Sequence, residues 1–150
     1  VRPYFDPHVA VLKLFPGITR EVVDAVLSVP SLRGVVMETF GSGNAPMMPW
    51  FLDALRAAVA RGVVIVNVTQ CVTGYVDMTR YETGVLLEKI GLVSGRDATT
   101  EAALTKLMYL LGQGFSSEEV SRLMVIPLRG EMSLDQEMEG FSREISIYRR

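Results

Sequence analysis

Three short stretches carry groups able to do chemistry. Gly41-Ser42-Gly43-Asn44-Ala45-Pro46 combines two glycines with an amide side chain. The glycines permit positive φ and a ligand's close approach to the main chain, while Asn44 offers one acceptor and two donors. That set suits the carboxylate and amide of a small amino acid. A helix starting near Pro46 would add a field favourable to anions. The same residues also suit a plain tight connection between a strand and a helix, and pattern leaves both open. In Thr69-Gln70-Cys71, a hydroxyl and a thiol at alternate positions can point the same way from extended backbone. Tyr81 and Glu82 open a helix as a phenol donor and a carboxylate for an α-amino group, although Glu82 equally suits a solvated first turn.

Other candidates read more plainly. Cys71 as a nucleophile needs a base, and the one histidine, His8, stands before the first strand. A Cys–His hydrolase is therefore disfavoured, leaving Cys71 as a semi-buried small residue or ligand contact and His8 as a surface or linker residue. One His with one Cys makes no zinc site. Nothing in the pattern calls for a cofactor. The glycine loop fails the G-x-G-x-x-G fingerprint, because Pro46 stands at the third glycine, and no G-K-[ST] follows. Met47 and Met48 beside Trp50 read as packing, and Glu118 with Glu119 as a helix cap rather than an acid pair.

These groups must be placed by strands and helices. Val9–Phe15 reads as a strand stopped by Pro16-Gly17, and Thr19 caps a helix with Val22, Val23, Val26 and Leu27 on one face. Gly34–Phe40 is a second strand. Phe51, Leu52, Leu55, Ala58 and Val59 stripe the next helix, which Arg61-Gly62 ends. Val63–Val68 is apolar except for Asn67, as in a strand buried on both faces. A helix follows through Tyr81–Ile90, Leu92-Val93 reads as a short fourth strand, and Thr99-Thr100-Glu101 opens a helix with Leu104, Leu107, Met108 and Leu111 on one face. Ser116–Glu119 is a capping box. Alternating strands and helices give an α/β fold with a parallel sheet, whose ligands meet the carboxyl ends of the strands.

Composition fits one such domain. The chain has 150 residues, 49% hydrophobic and 21% charged, with net charge −2. No basic stripe suggests nucleic acid, and no apolar run spans a bilayer. The single cysteine excludes an intrachain disulfide. With no secretory pattern at the start, the cytoplasm is the expected location. The opening Val1-Arg2-Pro3-Tyr4-Phe5-Asp6-Pro7 reads as an interdomain linker, so the expectation is a piece of a longer protein, with a linker over 1–8, a domain over 9–133 and a tail over 134–150.

Several ordered segments resemble the C-terminal domain of type I, cytosolic L-asparaginases. They are Phe15-Pro16-Gly17-Ile18, Met37 to Pro46, Arg61 to Cys71, Thr100 to Leu111, and Leu128-Arg129-Gly130-Glu131-Met132. The resemblance implies a three-layer domain with a four-stranded parallel sheet flanked by helices. It also implies hydrolysis of L-asparagine to L-aspartate and ammonia in a homodimer or homotetramer. The threonine nucleophiles would belong to an N-terminal catalytic domain, leaving no catalytic residue in this chain. Gly43 and Asn44 would contact substrate in the active site of a neighbouring subunit, with Tyr81 and Glu82 as neighbours. An effector site would use positions matching Asn44, Thr69, Cys71 and Glu38; at Glu38 the family pattern expects arginine, so allosteric activation is put in doubt. The alternatives are a non-catalytic module binding asparagine or aspartate, and an asparaginase-like subunit of a tRNA amidotransferase.

Overall fold

The computed structural model describes residues 4–41, 43–71, 74–76, 78 and 82–133. Tyr81, Ser42 and the segment 134–150 lie outside them. The described residues form strands β1 (Val9–Lys13), β2 (Gly34–Thr39), β3 (Val64–Thr69) and β4 (Val93–Ser94). The helices are α1 (Arg20–Leu27), α2 (Pro49–Ala60), α3 (Glu82–Ile90), α4 (Thr100–Gly112) and α5 (Ser117–Met124). The four strands pair in parallel in the order β1-β2-β3-β4. This sequential order has no reversal, so it offers no switch-point crevice of the doubly wound kind.

Strand alternation divides the core in two. Val35, Met37, Val63 and Ile65 pack with Val23, Leu27, Phe51, Leu55 and Leu87 of α1, α2 and α3. Val36, Val64, Val66 and Val68 pack with Leu107, Leu111, Val120 and Met124 of α4 and α5. The result is three layers, helices on both faces of a sheet whose inner strands read as unbroken apolar runs.

Local signals set most of the boundaries. Thr19 Oγ1 accepts the Val22 N–H, Thr99 Oγ1 accepts the Ala102 N–H, and Ser116 exchanges bonds with Glu119 in a full capping box. Three expectations need correcting. The helix after the glycine loop starts at Pro49, not near Pro46. Met48 is its extended cap, because a residue before proline disfavours the helical region. Val22 is exposed while Val23 and Leu27 turn inward. On α4 the buried face is Ala103, Lys106, Leu107, Leu110 and Leu111, a slight rotation of the predicted stripe that takes in a lysine.

That lysine has three partners. Lys106 Nζ donates to Met124 O (3.0 Å) and Ile126 O (2.5 Å) and lies 2.7 Å from Glu131 Oε1. Burial pushes Lys106 below its ordinary value against the pull of Glu131. Burial alone would raise Glu131; the Lys106 ammonium and the Leu128 and Arg129 N–H groups instead bring it down to about 2. The pair ties residues 126–132 to α4. At the other end of the sheet, Asp6 is 3% exposed. Its N–H donates to Met108 O (2.9 Å), and its carboxylate meets Arg33 Nη1 and His8 Nδ1, each at 2.7 Å.

Candidate functional site

The polar groups gather at the carboxyl ends of β2 and β3. There Phe40 leaves the strand and closes a turn on itself. Its N–H donates to Asn44 O (2.8 Å), and its carbonyl accepts from Gly43 N–H (3.0 Å) and Asn44 N–H (2.8 Å). Gly43 has φ +107°, and a Cβ added there would come within 2.9 Å of Val76 Cγ1, so no other residue fits the turn without strain.

Side chains of β3 hold this turn from below. Asn67 Nδ2 donates to Gly43 O (3.3 Å), and Thr69 Oγ1 donates to Gly41 O (2.5 Å) while accepting the Cys71 N–H (3.0 Å). Beneath them Thr39 Oγ1 lies 2.5 Å from Asn67 Oδ1 and 3.0 Å from Val68 O. Thr39 and Asn67 are both 0% exposed. Gln70 fastens the neighbouring edge: its N–H donates to Thr39 O, and Nε2 donates to Leu14 O (2.6 Å) and Glu38 O (3.0 Å). Gly74, beyond β3, lies against Thr69, since a Cβ there would sit 2.4 Å from Thr69 Cγ2.

The outcome is an exposed Asn44 whose own N–H and C=O, and those of Gly43 before it, are paired. An amide side chain held at the rim in this way can donate to a carboxylate and accept from an ammonium or amide at once, with little ordering cost on binding.

Sequence-predicted residues divide into groups. Gly43, Asn44 and Thr69 come together in the loop and its support. Cys71 is exposed just past β3. Glu38 goes elsewhere. Register pairs Glu38 with Val68 and Thr39 with Thr69, so Glu38 faces α4 while Thr69 faces the α1–α3 layer. There Glu38 Oε1 accepts the Thr100 hydroxyl (2.7 Å), with Lys13 Nζ at 4.0 Å from Oε2. Glu82 is exposed at the start of α3, and Tyr81 lies outside the described residues. His8 stands at the amino edge, where its carbonyl accepts Arg33 and Gly34 N–H groups. A five-residue strand separates that edge from the one bearing Cys71, about 16 Å at strand rise. A Cys71–His8 pair is therefore sterically out of reach. Asn67 and Gln70 carry the support, and sequence reasoning gave neither a role; the one signal was a polar residue inside a strand with both faces buried.

Residues 8–124 match the family model of the glutaminase/asparaginase C-terminal domain. The chain belongs to this family. This asparaginase C-terminal domain is 47% identical over 135 residues to the 60 kDa lysophospholipase of Mus musculus, covering 89% of the chain and 24% of that protein. It is 41% identical over 135 residues to L-asparaginase 1 of Escherichia coli K12, covering 90% of the chain and 40% of that protein. The crystal structure of L-asparaginase I from Vibrio cholerae superposes with a TM-score of 0.83 at 47% identity, over 89% of the chain and 40% of the other. The domain thus spans less than half the length of each of these relatives.

Proposed function

We propose that this domain presents substrate to an amidohydrolase that converts L-asparagine to L-aspartate and ammonia. Asn44, with the Gly43 backbone beside it, is the substrate contact. The nucleophile comes from a catalytic domain outside these residues. The observation that carries this reading is the pinned loop that leaves Asn44 exposed, in a chain whose thiol and imidazole stand at opposite edges of the sheet. Similarity to proteins named L-asparaginase supports it, and so does the fraction of their length that the chain spans.

Residues 9–133 form the unit of strands and helices in this reading, with 1–8 leading in from a catalytic domain and docked on α4 through Asp6, and 134–150 as a tail. The assembly is a cytoplasmic homodimer or homotetramer, with Tyr81 and Glu82 near the substrate's α-amino group. Cys71 lies at the same rim, with Thr69 just beneath it, where an effector would meet Asn44. Glu38, engaged with Thr100 on the opposite face, brings no cation to such a site, so rates rise with asparagine with little sigmoidicity.

The test compares ammonia release from asparagine by the 150-residue chain alone and by the longer protein that carries it. The proposal expects turnover only from the longer protein. Robust turnover by the isolated chain would place the chemistry here and overturn it.

A further inference from the structure

We propose that Thr39 and Asn67 are positioning residues for Asn44, acting through the peptide bond between Gly43 and Asn44. The claim rests on the reading that Asn44 touches the ligand. A peptide group is planar, so its C=O and N–H turn together. Here both ends are held: Asn67 Nδ2 donates to the Gly43 carbonyl, and the Asn44 N–H donates to Phe40 O. Fixing that plane, with the Asn44 carbonyl held by the Phe40 N–H, fixes the direction in which the Asn44 side chain leaves the backbone. Among the described residues of β2 and β3, no other side chain hydrogen-bonds to Gly43.

The pair is unusual for its surroundings. Thr39 and Asn67 lie on the α1–α3 face in line with Val35, Met37, Val63 and Ile65, where apolar side chains would cost nothing to desolvate. Two buried polar groups are kept in their place, and every polar atom of the pair finds a partner. Asn67 has one workable orientation. Turning its amide over would set Oδ1 against Gly43 O, acceptor against acceptor. The Thr39 hydroxyl, closest to Asn67 Oδ1, secures that orientation. Thr69 adds a second hold at the loop's entry through Gly41 O.

The test reads amide hydrogen exchange in this chain at Gly43 and Asn44, with Val66 and Leu107 as core references. The variants are Thr39→Val, Thr39→Ser and Asn67→Ser, the last too short to reach Gly43 O. Thr39→Val and Asn67→Ser are expected to speed exchange at Gly43 and Asn44 about tenfold, the factor for one lost buried hydrogen bond. Exchange at Val66 and Leu107 should change less than about twofold, and Thr39→Ser, which keeps the hydroxyl, should match wild type. In the longer protein Thr39→Val is expected to raise KM for asparagine about tenfold with kcat nearly unchanged. Loop exchange at the wild-type rate, or rising only in step with Val66, would overturn the proposal. If Thr39→Val does not fold, Asn67→Ser decides by the same readout. Should the wild-type longer protein not hydrolyse asparagine, the asparaginase reading falls, and the exchange rates still decide whether this pair positions the loop.

Discussion

Replacing Glu131 by Gln removes the charge that faces a lysine with only 4% of its side chain exposed. Lys106 keeps Met124 O and Ile126 O but loses its counter-ion, and the Leu128 and Arg129 N–H groups lose a carboxylate acceptor. The size of the effect follows from linkage. Glu131 falls from 4.5 to about 2 on folding, which corresponds to at most about 3 kcal/mol of stability at neutral pH. With 15% of the Glu131 side chain exposed, little of this is lost to solvent screening. Glu131→Gln should therefore lower stability by about 2–3 kcal/mol, or Tm by roughly 5–10 °C. Because the folded value is depressed, the contribution is present above about 4.5 and is lost as pH falls toward 2. Urea unfolding of wild type and variant from pH 7 to pH 3 should show the gap shrinking below about pH 4.5, by up to ~1.4 kcal/mol per unit. A gap under about 1 kcal/mol at pH 7, or one independent of pH, would refute the assignment of a buried ion pair.

Two further changes test local geometry. A Cβ on Gly112 would sit 1.9 Å from Tyr4 O, so Gly112→Ala should lift residues 4–6 from α4 and speed Asp6 amide exchange at least tenfold; unchanged Asp6 exchange would contradict the docking. Gly43→Ala meets Val76 at 2.9 Å with φ +107° and should cost about 1–3 kcal/mol in urea unfolding; a neutral effect would contradict the turn. Cys71 is exposed, so an aromatic disulfide reagent should titrate one thiol per native chain without denaturant, and a thiol reactive only in urea would contradict its placement.

The layers and their order in the chain were legible because the signals are local. Thr19, Thr99 and Ser116 bond to N–H groups three residues on, and the apolar run at Val63–Val68 needs no distant partner to read as buried on both faces. What pattern missed depends on pairing across the chain. Asn67 acquires its meaning from Gly43, on the neighbouring strand's loop, and Lys106 is tolerable inside only because Glu131 returns to it from beyond α5. Alternation shows that Glu38 and Thr39 point oppositely, but only register sets Thr39 against Thr69 and leaves Glu38 on the α4 side. Pro46 and Pro49 both suit a first helical turn, and the bridge from Phe40 to Asn44 uses up the residues that would have let the earlier one serve.

The central claim is that Asn44 is delivered to a substrate whose chemistry is done elsewhere. Its most direct test is asparagine hydrolysis by the longer protein carrying Asn44→Ala, with KM and kcat resolved. Losing a polar contact to a charged substrate group should raise KM roughly tenfold or more, while the folded domain, read by circular dichroism and Tm, stays intact. Wild-type KM and kcat in that variant would contradict the account.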